Sequence, residues 1–182
     1  MPKRKGSATA IRPARRDERG EIASLYHDIW HETHAPIESF AVAAHRPLVF
    51  FEKAMAKMKS PPLIARGGDG TLLGFACYEG FLVRALFLAP GARGTGLGAH
   101  LLAAVEAAIA AKGHDKAALM CIKGNDAARR FYEREGYRVT LNRNIRTEIP
   151  TEAGDGCVVV QAWRMQKSLK AICPRPAKHG AA

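Results

Sequence analysis

Between two strongly apolar segments the chain reads Ala89-Pro90-Gly91-Ala92-Arg93-Gly94-Thr95-Gly96-Leu97-Gly98-Ala99, and no other stretch limits the fold so tightly. The run before it, Val83 to Leu88, has the make-up of a strand and is stopped by Pro90-Gly91. After it, Leu97, Leu101, Val105 and Ile109 recur at helical spacing, with Gly113 as the natural stop. A glycine-rich turn therefore joins a strand to a helix. Glycines let a ligand come close to the main chain. The first helical turn leaves about four N–H groups unpaired, and the helix dipole adds roughly half a positive charge. Such a corner suits a phosphate or pyrophosphate, and Arg93 adds a formal charge at its rim.

Several sites share this outline. A P-loop needs Gly-Lys-Ser/Thr, and no lysine follows Gly96. Gly94-Thr95-Gly96-Leu97-Gly98-Ala99 fits the dinucleotide fingerprint Gly-x-Gly-x-x-Ala. That motif belongs after the first strand of a βαβ unit, with an acidic residue closing the next strand. Here three strands come earlier, and Asp115 precedes the next strand. A glycine turn with no ligand also stays open.

The rest of the chain supplies an ordinary domain around this turn. Its 182 residues are 47% hydrophobic and 25% charged, which excludes global disorder. The net charge is +11, but Lys3, Arg4 and Lys5 at one end and Lys167, Lys170, Arg175 and Lys178 at the other carry seven of it. Residues 1–8 read as a flexible basic leader and 167–182 as a flexible basic tail. The remaining excess favours an anionic ligand. A nucleic-acid module built on the two tails is an alternative that ranks below this. Cys77, Cys121, Cys157 and Cys173 form no CxxC pair, so a reduced, cytoplasmic protein is the economical reading. Leu97 to Ala111, the most apolar stretch, contains His100 and Glu106 and is too short to cross a membrane.

The order of elements is β-α-α-β-β-β-α-β-α-β-β. Thr9 to Arg12 reads as a strand ended by Pro13. Ile22, Leu25, Tyr26, Ile29 and Trp30 give a helix one apolar face, ending at Pro36. A second helical region spans roughly Glu38 to Lys59 and is interrupted near Pro47. Leu63 to Ala65 and Thr71 to Tyr78 read as strands joined by the hairpin turn Gly67-Gly68-Asp69-Gly70. Ala117 to Ile122 reads as a strand buried on both faces. Asn125 caps a helix through Glu135, closed by Gly136. Tyr137 to Ile149 and Cys157 to Met165 are the last two strands.

Two motifs carry a family resemblance. Arg93-Gly94-Thr95-Gly96-Leu97-Gly98 is similar to the hallmark Arg/Gln-x-x-Gly-x-Gly/Ala of the GNAT superfamily of acetyl-CoA-dependent N-acetyltransferases. Asn125 opening a helix with Phe131-Tyr132 and ending at Gly136-Tyr137 resembles the family's later signature. Ile11-Arg12-Pro13-Ala14 and Gly74-Phe75-Ala76 look like it too. The resemblance covers roughly residues 9–166 and is weakest at 30–60. It implies one α/β domain, 9–166, with a central mixed, mostly antiparallel sheet of six to seven strands flanked by four helices and splayed where CoA enters.

The chemistry that the resemblance implies is direct attack of a primary amine on the acetyl thioester of acetyl-CoA, the co-substrate, with no metal. The main chain of Leu86, Phe87 and Leu88 would pair with the pantetheine arm, and the N–H of Leu88 would polarise the thioester carbonyl. The amides of Arg93, Gly94, Thr95, Gly96, Leu97, Gly98 and Ala99 would hold the pyrophosphate, and Asn125 would contact the pantetheine. Tyr132 would protonate the leaving thiolate; a core aromatic is its structural alternative. Many relatives place a basic carboxylate on the strand before the turn, but here Arg84 and Ala85 stand there. Glu79 is then the candidate base, and Arg84 hints at an acceptor with a carboxylate. Trp30, His31, His34 and Glu38 would wall the acceptor pocket; His27, His31 and His34 as a metal cluster, or as a solvated face, are the other readings. The partner implied is a small-molecule or peptide amine, with a homodimer left open. A CoA-binding sensor that has lost catalysis is the other alternative.

Overall fold

In the computed structural model, residues 10–38, 40–151 and 154–170 are described. Residues 1–8 of the expected leader and 171–182 of the expected tail lie outside them. The elements run β1 (Ala10–Pro13), α1 (Arg19–Thr33), α2 (Phe40–Ala44), α3 (Leu48–Lys57), β2 (Leu63–Arg66), β3 (Leu72–Glu79), β4 (Leu82–Leu88), α4 (Leu97–Ala111), β5 (Lys116–Ile122), α5 (Asp126–Arg134), β6 (Arg138–Thr151) and β7 (Gly154–Ser168). The seven strands form one sheet in the order β1-β2-β3-β4-β5-β7-β6. Every neighbouring pair is antiparallel except β4 and β5. This is the single α/β domain with a mixed, mostly antiparallel sheet that the motifs implied.

Two apolar layers sandwich the sheet. On one face α4 lays Leu101, Val105 and Ile109 against Leu119 and Met165. On the other, α1 and α3 bring Ile22, Trp30, Phe51 and Met55 onto Ile64 and Phe75. Within α1, Ile22, Ile29 and Trp30 are buried while Leu25 and Tyr26 are only half-buried. Among the described residues no helix is long and apolar enough to cross a membrane.

Several details depart from the sequence expectations. The interruption expected near Pro47 is present, Pro47 being the extended residue that precedes α3, and because it makes α2 and α3 separate helices, five helices and not four accompany the sheet among the described residues. Pro13 lies inside β1, which is tolerated because β1 is an edge strand. Met120 in β5 is 39% exposed, so that strand is not buried throughout. Lys167, assigned to the basic tail, belongs to β7, where its Nζ lies 2.7 Å from Oε2 of buried Glu106. Leu169 is buried as well, so the folded unit runs past residue 166.

One irregularity opens the sheet. In β3–β4 the register passes from Cys77↔Ala85 to Tyr78↔Val83, leaving Arg84 as the extra residue of a bulge. A bulge bends its strand and sharpens the twist. Beside it, among the described residues, β4 and β5 pair only at Leu82↔Ala118, with Ala118 N–H donating to Phe81 O at 2.9 Å. Beyond that point the two strands diverge.

Candidate active site

The divergence makes a cavity of about 440 Å³ whose walls are β4, β5, α1 and α5. Ala89 N–H is bonded to Leu73 O at 2.9 Å. By the alternation of a strand, Leu88 and Leu86 therefore turn their main chain to the gap. Arg93 Nε, which donates to Leu88 O at 3.3 Å from outside the sheet, agrees with this. Phe87 faces β3 instead, where its carbonyl would lie 2.8 Å from a Cβ on Gly74. Of the three strand residues expected to pair with an extended ligand, two therefore present their main chain and Phe87 presents only its ring.

The glycine turn forms one end of the gap. Gly94 and Gly96 have φ of 75° and 86°, a region that side chains disfavour. A Cβ at Gly91, Gly94 or Gly96 would meet nothing within 4 Å, so the outer side of the turn is open. Thr95 Oγ1 donates to Ala92 O at 2.7 Å and accepts from Leu97 N–H at 3.4 Å, fixing the turn from inside. His100 N–H is the first to close a helical bond, onto Gly96 O. The N–H groups of Gly94, Thr95, Gly96, Gly98 and Ala99 have no partner among the described residues. Gly98 is packed: a Cβ there would come within 3.2 Å of Leu88 and 3.4 Å of Phe131. A concave array of free amides beside an open strand edge can hold a diphosphate with a flexible arm.

Asn125 caps α5, its Oδ1 accepting from Ala128 N–H at 3.1 Å, and it also lines the cavity. Tyr132, two turns along the same helix, lines the cavity too. Its ring sits edge-on to Phe131 and Tyr137. Burial, followed by the nearby Cys121, pushes its phenol above the usual range, so it keeps its proton. Cys121 also faces the cavity, and burial pushes its thiol up to about 11.

The family model for the acetyltransferase (GNAT) domain matches residues 31–151. The chain belongs to the GNAT family. The acetyltransferase fold is also that of solved structures of low identity. A GCN5-related N-acetyltransferase from Rhodopseudomonas palustris is 22% identical over 90% of this chain and 98% of its own, with a TM-score of 0.66. PaiA N-acetyltransferase from Thermoplasma acidophilum, solved with coenzyme A, is 19% identical over 89% and 99%, with a TM-score of 0.64. YncA from Salmonella typhimurium, solved with acetyl-CoA, is 20% identical over 94% and 99%, with a TM-score of 0.62. No curated protein sequence matches the chain.

The residues expected to wall an acceptor pocket part company in this GNAT domain. Trp30, His34 and Arg84 line the cavity. His31 does not, since its Nε2–H donates to Arg46 O at 2.8 Å. His27 is bonded to Asp28 at 2.8 Å, so the three histidines point to three different partners. Among the described residues no group of His, Cys, Asp and Glu is arranged to hold a metal ion. Glu38 is half-buried, and burial raises its carboxyl against the opposing pull of Arg46, but it is not part of the wall. Glu79 is exposed and borders a second cavity, of about 330 Å³, on the far side of the bulge. Arg84 and Tyr26 border both cavities. Among the described residues the first cavity has two arginines, Arg84 and Arg93, and no carboxylate on its wall.

Tyr26, Thr33 and Met120 are wall residues that the sequence did not single out. Tyr26 sat in an apolar helical stripe, where its polar tip was the available signal. Met120 sat in an apolar run with nothing to mark it.

Proposed function

We propose that the protein is an acetyl-CoA-dependent N-acetyltransferase that passes the acetyl group directly from CoA to a primary amine of a small molecule or peptide. The observation that carries this reading is the β4 edge at Leu86 and Leu88, which has no strand partner among the described residues, running into the open amides of Gly94, Thr95, Gly96, Gly98 and Ala99. Gly94 to Ala99 hold the pyrophosphate, with Arg93 at the rim, and the strand edge takes the pantetheine arm as if it were another strand. Asn125 contacts that arm as well as capping its own helix. Leu88 N–H polarises the thioester carbonyl.

The reaction needs no covalent enzyme intermediate. The amine lone pair attacks the carbonyl carbon, the C–N bond forms, and the C–S bond then breaks. Tyr132 supplies a proton to the leaving thiolate, a role that suits a phenol held protonated by burial. Cys121, with its thiol pushed up to about 11, makes a poor competing nucleophile. Trp30, His34 and Arg84 form the acceptor wall, and Arg84 favours acceptors that carry a negative group.

Calorimetry with acetyl-CoA tests the binding half. We expect micromolar affinity, and no binding at that level sinks the proposal. Thiol release from acetyl-CoA with a panel of primary amines, carboxylate-bearing ones included, tests the transfer half.

A further inference from the structure

Attack by an amine leaves a surplus proton on nitrogen, and something in the cavity must take it. The usual candidates are missing from the wall: Arg84 and Ala85 occupy the strand, Glu79 faces the second cavity, and no carboxylate reaches the first among the described residues. Tyr26, Tyr132 and Cys121 also face the cavity, and each is held in its protonated form, Tyr26 chiefly by its burial. The other wall group able to accept a proton is His34.

Its tautomer follows from counting protons. Thr33 Oγ1 lies 2.7 Å from Ile29 O, a carbonyl that can only accept, so the hydroxyl spends its one proton there. The same oxygen lies 2.8 Å from His34 Nδ1 and must accept from it. Nδ1 therefore carries the imidazole proton, and the lone pair is on Nε2. That nitrogen has no partner among the described residues. The ring is held parallel to Trp30, with centroids 5.8 Å apart and planes 13° apart, and lies 5.6 Å from the ring of Phe87. Phe87 stands between the two strand residues whose main chain faces the thioester seat.

We propose that His34 is the general base of the acetyl transfer and that Thr33 is its positioning residue. This rests on the acetyltransferase reading above. As the C–N bond forms, the proton on the amine nitrogen passes to His34 Nε2; the electron pair of the broken C–S bond leaves with sulfur, which takes the Tyr132 proton. His34 then releases its proton to water, and the Tyr132 phenolate takes one back from water, so the net result is transfer of the amine proton to the thiolate. Burial pushes this histidine down to about 4, so it is neutral and ready to accept at neutral pH, and it passes the proton on rather than storing it. Arg84 on β4 and Arg93 on the turn share its cavity wall, the latter paired with Glu32 on α1, and on the segment after α1 the N–H of Glu38 donates to His34 O at 2.9 Å.

The test uses the full chain with acetyl-CoA and the best acceptor from the amine panel. His34→Gln keeps the size and polarity but cannot take a proton. We expect kcat to fall about a hundredfold, with the KM for acetyl-CoA within about twofold, and added imidazole to restore part of the turnover of His34→Ala. Proton–nitrogen NMR of the imidazoles reads the geometry without any substrate: the His34 signal should show the Nδ1–H tautomer, and Thr33→Val should abolish that preference and lower kcat. A kcat for His34→Gln within threefold of wild type overturns the assignment, as does an Nε2–H tautomer. So does a hundredfold loss in Glu79→Gln with His34→Gln intact. Should His34→Gln fail to fold, Thr33→Val decides, and an unchanged kcat and tautomer overturn the proposal. Failure of wild type to bind acetyl-CoA counts against the enzyme reading itself, while the tautomer result stands apart from it.

Discussion

Arg93 and Glu32 form a forked ion pair, Nη1 to Oε1 at 2.6 Å and Nη2 to Oε2 at 2.7 Å, that ties the glycine turn to the last turn of α1. Each side chain perturbs the other: Glu32 is held below the usual carboxylate range, chiefly by Arg93. In the proposed reading a pyrophosphate competes with Glu32 for the same guanidinium fork. Both side chains are more than a third exposed, so the pair is worth under about 1 kcal/mol. Glu32→Gln should therefore tighten CoA binding by roughly two- to fivefold, measured by calorimetry, and the gain should shrink as salt is raised. Weaker binding would mean that Glu32 holds Arg93 in place for the ligand.

Gly96 combines a φ of 86° with open space at its missing Cβ. Gly96→Glu puts a side chain and a negative charge among the free amides. We expect CoA affinity to fall by more than a hundredfold, while left-handed strain of about 1–2 kcal/mol lowers the thermal midpoint by only a few degrees. Unchanged affinity would put the diphosphate somewhere else.

Tyr132→Phe separates chemistry from packing. The ring and its contacts with Phe131 and Tyr137 remain, and only the hydroxyl goes. Turnover should drop at least tenfold while the Kd for CoA moves less than twofold. Equal losses in both would make the residue structural.

Much of this was legible in the sequence, and particular residues show why. Gly113 and Gly136 have φ of 85° and 90° where the helices end, and Asn125 does cap α5 through Ala128, because these signals are local. The bulge at Arg84 was not legible: one extra residue in an apolar strand changes neither its composition nor its ends. His31 in the last turn of α1 and His34 just past its end lie one turn apart, yet a carbonyl fifteen residues away at Arg46 turned one aside. Glu106 read as an ordinary helix charge, and its burial depends on Lys167, sixty-one positions later.

That Glu106–Lys167 pair makes its own prediction. Glu106 is 3% exposed and Lys167 26%. Lys167→Met leaves a buried carboxylate uncompensated, which should cost about 3 kcal/mol in urea unfolding. Replacing both, as Glu106→Leu with Lys167→Met, should recover most of that loss. A single variant as stable as wild type would show that the pair is solvated in solution.

The pH dependence of stability has two sources of the same sign. Glu18 is 4% exposed and accepts from Arg12 at 2.7 and 2.8 Å, from Arg66 Nε at 3.1 Å and from Arg15 N–H at 2.8 Å. These bonds, Arg12 first, hold its carboxyl far below the ordinary 4.5. Below pH 4.5 the unfolded chain takes up a proton that the folded one refuses, so the stability that Glu18 contributes above that pH is lost as pH falls. His34 is lowered from 6.5 to about 4, so between those values the unfolded chain again binds more protons, and stability again falls with pH. Urea midpoints measured from pH 8 to pH 3 should therefore be level above about 7, decline from 6.5, and decline more steeply below 4.5. His34→Gln should flatten the upper slope alone, and Glu18→Gln should lower the plateau and flatten the lower one. An upper slope unchanged in His34→Gln would mean that the imidazole is solvated, and its place on the cavity wall would have to be abandoned.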